Sequence, residues 1–349
     1  MATALTDADE LTDAGALTLL DYAAPAEAPD PVPMLVLTGF LGAGKTTMLN
    51  RILEGEHGLR VAVLVNDFGD MNIDADLVTG VRAGVVTLAN GCVCCTIRDD
   101  LIETVLAAID LPERPEYIVL EASGVAEPSG IATTFSIPEL RGRIRLDSVT
   151  CVLDAEQVLE VPELMELKIW QAAFADLLVL NKVDLVDRAQ VGRVTAWLDS
   201  RMHRYRLIET AWCDVPVELL MSAGRFGAQA LAALPGPGPV GAAATQALET
   251  WSFETDEPLD LASLRDVAAH LPAGVYRAKG IVRVTEIADR PVILHVVGRR
   301  VDLSAGLPWG DSERRTRIVA IGASGALADG LSGMLSGCVA VPGSVRGAL

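Results

Sequence analysis

The stretch Gly39-Phe-Leu-Gly-Ala-Gly44-Lys45-Thr46 constrains this chain more than any other, because it fits G-x-x-x-x-G-K-[ST]. It follows an apolar run, Met34–Thr38, and opens an amphipathic one, Lys45–Gly55. Strand, glycine turn and helix in that order form the context in which such a loop wraps phosphate. The turn's glycines let backbone N–H groups converge on a β-phosphate, and the helix N-terminus adds positive dipole. Gly39, Gly42, Ala43, Gly44 and Thr47 belong to this cradle, Lys45 would reach the β/γ-phosphates, and the Thr46 hydroxyl would hold Mg²⁺. The rest of the first two thirds agrees. Val61–Val65, Val85–Leu88, Tyr117–Glu121, Ser148–Asp154 and Leu177–Asn181 read as strands, and Asp99–Ile109 and Arg188–Ser200 as helices between them. Strands alternating with helices imply a largely parallel sheet covered on both faces.

Two further motifs sit at strand ends. Glu121-Ala-Ser-Gly124 closes the strand Tyr117-Ile-Val-Leu. An acid there, beside a phosphate loop, is placed to accept Mg²⁺-bound water or to orient an attacking water. The plainer alternative is a strand-terminal acid in solvent. Gly124 leaves room for a backbone N–H near a γ-phosphate. Asn181-Lys182-Val183-Asp184 follows the strand Asp176-Leu-Leu-Val-Leu and fits N-K-x-D. The Asp184 carboxylate can accept from guanine N1 and N2 protons, which adenine lacks; Asn181 would meet the base edge and the Lys182 stem its face. A hydrogen bond to a charged group contributes about 1.5–3 kcal/mol, enough to favour GTP over ATP. Alone the pattern could be an ordinary loop. Together with the phosphate loop it reads as guanine recognition.

Gly91-Cys92-Val93-Cys94-Cys95 gathers three of the six cysteines. In an extended loop Cys92 and Cys94 point the same way, and Cys95 adds a third thiolate. Soft thiolates suit Zn(II), Cu(I) or a Co(II) surrogate. No second CxxC completes a closed four-thiolate site, so the centre is open or finished by oxygen. Asp67 and Asp70, in Asn66-Asp-Phe-Gly-Asp70, are candidates for that oxygen. A redox-active thiol pair and buried apolar cysteines remain the competing readings. Cys151, Cys213 and Cys338 are isolated and read as core. The four histidines form no cluster.

The formal charge of −19 excludes a nucleic-acid partner, which would need a basic stripe. The acidic opening carries no secretory or transit pattern, and no apolar run reaches the roughly 18 residues of a membrane span. A cytoplasmic, membrane-free location is the expectation. Residues 1–33 read as an acidic disordered leader, with a short helix conceivable at Ala14–Tyr22, and residues 34–234 as the nucleotide domain. Pro235–Ala244 is a run of structure breakers, and residues 235–247 read as a linker. Residues 248–349 read as a smaller α+β domain: strands near Trp251–Glu254, Val275–Thr285, Pro291–Val297 and Thr316–Ile321, with helices at Leu261–His270 and Ala323–Leu335.

GFLGAGKTT, VNDFG, GCVCC, LEASGVAEP and NKVD, in that order, resemble the CobW-like P-loop GTPases, metal chaperones of the zinc and cobalt type. Val275-Tyr-Arg-Ala-Lys-Gly280 and Arg317-Ile-Val-Ala-Ile-Gly322 look like that family's second domain, so the resemblance spans about residues 34–335. It implies an α/β fold, a doubly wound P-loop GTPase sheet with a second, smaller α+β C-terminal domain. It also implies slow, metal-stimulated GTP hydrolysis, and Zn(II) or Co(II) held by Cys92, Cys94 and Cys95 with nearby acids for delivery to a client metalloprotein. A homodimer, a non-catalytic metal buffer or sensor, and a dedicated activator of nitrile hydratase or a cobalamin-pathway enzyme stay open. Val65 stands where the family often carries a Glu before its N-[DE]-F-G segment, removing one oxygen ligand. The histidine-rich storage loop of many members is absent, which favours stoichiometric delivery over storage.

Overall fold

The computed structural model describes residues 30–55, 57–65, 85–87, 96–126, 142–221, 248–310, 313–323 and 330–340, with Ile137 and Leu140. The leader, the expected helix at Ala14–Tyr22 and the linker 235–247 lie outside them, apart from residues 30–33. The first unit runs β1 (Val32–Thr38), α1 (Lys45–Glu54), β2 (Val61–Val65), β3 (Val85–Thr87), α2 (Thr96–Ile109), β4 (Tyr117–Glu121), β5 (Ile144–Asp154), α3 (Met165–Phe174), β6 (Leu177–Asn181), α4 (Arg188–Asp199), β7 (Leu207–Glu209) and α5 (Val217–Leu220). Its seven strands pair in parallel in the order β3-β2-β4-β1-β5-β6-β7.

Strand alternation divides the core into two faces. Met34, Val36, Ile118 and Leu120 join one cluster, and Leu35, Leu37, Tyr117 and Val119 the other. Burial on both faces is why β2 is apolar throughout and β1, β4 and β6 are apolar up to their last residue. Helix α1 buries Met48, Leu49 and Ile52 on the second face, while α4 turns Val191, Val194 and Leu198 onto the first. Asp187 caps α4 by accepting from the Gln190 N–H at 2.8 Å.

The second unit contains β8 (Leu248–Thr255), α6 (Leu261–Ala269), β9 (Val275–Val282), β10 (Val292–Val297), β11 (Arg300–Ala305), β12 (Thr316–Ala323) and α7 (Leu331–Ser336). Its antiparallel sheet runs β11-β10-β9-β12-β8. Ala278, Val282, Leu294, Val296, Ile318 and Ala320 form its apolar face, covered by Leu264 of α6 and by Leu331 and Leu335 of α7. Four elements go beyond the sequence reading. Strand β11 is only partly buried and carries Arg300 and Asp302, so its pattern is faint; it forms because Gly298 (φ 57°) turns the chain back beside β10. Strand β7 has three residues and α5 four, both near the lower limit of any pattern. Helix α3 holds two buried polar residues, Lys168 and Gln171, which break its apolar stripe. Strand β5 starts at Ile144 rather than Ser148, and Ala323 ends β12 rather than opening a helix.

The two sheets meet through buried charge, and each presents a register irregularity there. Met34 pairs with Leu146 and Leu35 with Ser148, so Asp147 is the extra residue of β5. Ile321 pairs with Arg277 and Gly322 with Val275, so Tyr276 is the extra residue of β9. Bulges re-aim side chains, and these two are aimed at the junction. Asp147 accepts from the Tyr117 hydroxyl at 2.6 Å, from Arg277 at 3.2 Å and from Arg145 at 3.3 Å. Arg277 also donates to the Leu219 carbonyl at 3.1 Å. The Tyr276 hydroxyl donates to the Leu207 carbonyl at 3.2 Å, and the Arg206 guanidinium to the Val275 carbonyl. Asp176 holds Arg300 at 3.0 Å and the Val149 N–H at 2.9 Å.

The Asp147 and Arg277 side chains are 1% and 2% exposed, so removing one partner strands the other without solvent. Asp147→Ala is expected to lower unfolding free energy by about 3–5 kcal/mol in urea titration, with partial recovery on adding Arg277→Met. Burial, with Lys279 and Arg145 adding to it, lowers the His295 pKa from 6.5 to about 3. The unfolded chain therefore binds a proton that the folded chain does not, throughout that interval. Stability falls as pH drops from about 6.5 towards about 3, and His295→Gln is expected to flatten that slope in thermal melts.

Candidate nucleotide and metal site

The carboxyl ends of β1, β4, β5 and β6 converge on one edge, where loops rather than ladders satisfy the chain. Beyond β1, Gly39, Gly42 and Gly44 have φ of 132°, 72° and 113°, a region that L side chains rarely adopt. A Cβ on Gly39 would collide with the Val152 carbonyl of β5, and one on Gly44 would lie 2.5 Å from Asn181 Nδ2. The turn is therefore held tight against β5 and β6. Helix α1 starts at Lys45 with no side-chain cap and no acid in its first turn. Its first N–H groups and its dipole suit an anion.

Lys45 is buried and its Nζ donates to the Phe40 carbonyl at 3.3 Å, folding it over the turn. Thr46 Oγ1 donates to Glu121 Oε1 at 3.0 Å, while Thr47 faces solvent. The β1–β4 register sets Leu37 opposite Glu121, and the Ala122 N–H donates to the Leu37 carbonyl at 2.9 Å. A hydroxyl and a carboxylate in contact form the hard oxygen set that Mg²⁺ takes. Gly124 lies so close to the turn that a Cβ there would stand 2.8 Å from the Leu41 nitrogen.

At the end of β6, Asn181 is buried and braced at both ends. Its Nδ2 donates to the Ala43 carbonyl at 3.0 Å, and its Oδ1 accepts from the Cys213 N–H at 2.8 Å. The N-K-x-D asparagine thus ties the phosphate turn to the loop after β7. Lys182 takes a left-handed φ of 64° and reaches Asp154 at 2.7 Å. Asp184 is exposed, with its carboxylate in solvent. The structure brings Lys45, Thr46, Glu121, Gly124 and Asn181 together around one turn.

Sequence reasoning missed four supporting residues. Asp154 ends β5; it accepts from the N–H groups of Glu156 and Gln157 at 2.9 and 3.2 Å, and so holds Lys182 from a fixed position. Lys168 of α3 donates to the carbonyls of Gln157, Val158 and Glu160 at 3.2, 3.1 and 2.5 Å. Its ammonium lies 4.8 Å from the Phe40 ring centroid, and burial lowers its pKa, opposed by Glu160 and Asp154. Gln171 donates to Gly124 and Ala126 carbonyls, each at 3.1 Å. A lysine and a glutamine buried in one short amphipathic stretch were the available signal. Cys213, read as core, is buried like Cys151 and Cys338, yet its thiol contacts the Gly44 carbonyl at 3.3 Å.

Cys92, Cys94, Cys95, Asp67 and Asp70 lie outside the described residues. The strands before them are described: Thr87 pairs with Val65, and Val65 with Glu121. Val65 and Thr87 are therefore level with Glu121 in the sheet. Cys92 follows Thr87 by five residues, a tether of at most about 17 Å. Among the described residues no helix is long and apolar enough to cross a membrane.

Comparison with known proteins follows the same division. The profile of the CobW/HypB/UreG nucleotide-binding domain matches residues 33–208, and that of the cobalamin synthesis protein CobW C-terminal domain matches 248–339. The zinc chaperone CobW of a Sinorhizobium species is 31% identical over 328 residues, covering 83% of this chain and 92% of that protein. The zinc chaperone YjiA of Escherichia coli K12 is 29% identical over 304 residues, covering 84% and 94%. The zinc-regulated GTPase metalloprotein activator 1 of Dictyostelium discoideum is 33% identical over 245 residues, and there the match spans 51% of that longer protein. Among solved structures, Zn(II)-bound YjiA from E. coli is similar with 22% identity and a TM-score of 0.37, covering 89% of this chain and all of the other.

Gly44→Ala would need strained backbone and push Cβ into Asn181. Its expected result is loss of nucleotide binding by at least about a hundredfold in equilibrium titration, with the fold retained by circular dichroism. Wild-type affinity in that variant would show that the turn is not the phosphate site.

Proposed function

Because the chain belongs to the CobW/HypB/UreG family of nucleotide-binding GTPases, we propose that it uses GTP hydrolysis to control the binding and delivery of Zn(II) or Co(II) to a client metalloprotein. The nucleotide domain at 34–234, the joining segment 235–247 and the second domain at 248–349 are the working parts of this reading. The turn from Gly39 to Thr46, with Thr47, holds the phosphates. Lys45 offsets charge on the transferred γ-phosphoryl, and backbone beside Gly124 faces it. Glu121 orients the attacking water. Asp184 accepts from guanine, with Lys182 over the base and Asn181 fixing the base loop to the phosphate turn. Thr46 and Glu121 would hold Mg²⁺, which would supply positive charge against the charge that develops on the transferred phosphoryl group.

Cargo metal binds Cys92, Cys94 and Cys95, with Asp67 and Asp70 as oxygen ligands. What carries this reading is register: the segments bearing all five follow Val65 and Thr87, which lie in one row with Glu121. Chain leaving the sheet there responds to γ-phosphate, as the switch segments of such GTPases do. Hydrolysis relaxes the cysteine loop and releases metal to a client docked on the second domain.

The test is Zn(II) and Co(II) affinity by chelator competition, without nucleotide, with Mg²⁺–GDP and with a non-hydrolysable GTP analogue. Linkage requires metal and GTP to strengthen each other by one common factor. A GTP-dependent change of about tenfold, roughly 1.4 kcal/mol, is expected, and Cys94→Ser should remove it. Equal affinities in all three states, or a Cys94→Ser variant that binds metal like wild type with GTP bound, would leave the metal site uncoupled and sink the delivery mechanism.

A further inference from the structure

The loop after β7 adopts a conformation that its own residues do not favour. Trp212 and Cys213 are consecutive non-glycine residues with φ of 54° each. The Trp212 ring is not what holds them there, since the residue is 71% exposed. Such backbone persists only where surroundings over-determine it, and it concentrates at functional positions. The surroundings here are specific. From α1, Arg51 donates through Nε to the Trp212 carbonyl at 2.6 Å and through Nη1 to Asp214 at 2.9 Å. Thr210 Oγ1 donates to the Asp214 carbonyl at 3.0 Å. Asn181 Oδ1 takes the Cys213 N–H at 2.8 Å, and the Cys213 thiol donates to the Gly44 carbonyl at 3.3 Å.

We propose that Cys213 is a positioning residue of the nucleotide site, whose N–H and S–H bolt the end of the guanine-reading strand to the phosphate turn so that the two subsites act as one. Its N–H fixes the Asn181 amide, whose other end grips Ala43, and its S–H grips the next residue of the turn, Gly44. Three segments distant in sequence are thereby clamped within one hydrogen-bond shell. The left-handed backbone at Cys213 is what lets a single residue present N–H and S–H to two neighbouring segments. Burial raises the thiol pKa to about 12, so the sulfur keeps its proton and stays a donor across the physiological range. The absence of a Cβ at Gly44 matters for the same reason, because one there would stand 3.1 Å from the sulfur.

The inference rests on the GTPase reading and separates from it experimentally. Wild type, Cys213→Ala and Cys213→Ser are compared for GDP, guanosine and pyrophosphate binding by displacement of a fluorescent GDP analogue, and for KM and kcat with GTP. A clamp that only joins subsites matters most to a ligand occupying both. Cys213→Ala should weaken GDP about tenfold and raise KM similarly, with guanosine, pyrophosphate and kcat each within about twofold. Cys213→Ser, which keeps a donor, should bind GDP within about threefold of wild type. The inference is overturned if Cys213→Ala binds GDP as wild type does. It is equally overturned if guanosine weakens as much as GDP, or if serine restores nothing. Should Cys213→Ala not fold, Arg51→Met loosens the same loop from a half-exposed position, and must reproduce the selective loss of GDP for the clamp to stand. Wild-type protein that binds no guanine nucleotide would instead defeat the GTPase reading itself.

Discussion

Everything at the nucleotide edge depends on the parallel backbone ladder that fixes which residues end their strands together. A parallel pair repeats its register evenly, so Leu37, Val65, Thr87 and Glu121 lie in one row. From that row depart the phosphate turn and the Glu121 turn. The sheet needs no side-chain chemistry to gather them. What side chains add is stiffness, through Thr46 on Glu121, Asn181 on Ala43 and Gln171 on Gly124.

The opposite end of the same strands carries a different kind of constraint. Tyr117 opens β4 as Glu121 closes it, and its hydroxyl lies on Asp147 inside the junction with the second sheet. Burial, with Asp147 adding to it, raises the Tyr117 pKa far above 10, so the phenol remains a donor to the carboxylate. Asp147 is thereby committed to Tyr117, Arg145 and Arg277, and the second unit is held as a load on the base of the sheet whose β4 ends in Glu121. A five-residue strand is a short, rigid element, and the junction and Glu121 are its two ends.

The sequence made the site legible wherever a motif required backbone conformation. The glycines of the turn, the strand before it and the acid at the end of β4 follow from phosphate chemistry, and the structure unites them. Nine of the ten strands expected from the sequence appear within about three residues of their limits, β5 being the exception, because buried strands are written as short apolar or alternating runs. What escaped were contacts between distant segments. Lys168 and Gln171 carried no signal of their own, because their partners are carbonyls, which every sequence possesses. Asp147 and Tyr276 gave no sign of being extra residues, since a bulge is a relation between two strands. Cys213 resembled any buried cysteine, and only its neighbours Asn181 and Gly44 distinguish it.

The paired irregularities at Asp147 and Tyr276 bear on how this architecture can be recombined. Each shifts one sheet by a single residue so that one side chain crosses the junction, and neither shift has a partner unless the other sheet is also present. A second domain taken from a protein with regular strands at these positions would bring arginine and tyrosine to the wrong rows. Asp147 would then be enclosed without its guanidinium. At this junction the two units therefore fit each other as a matched pair.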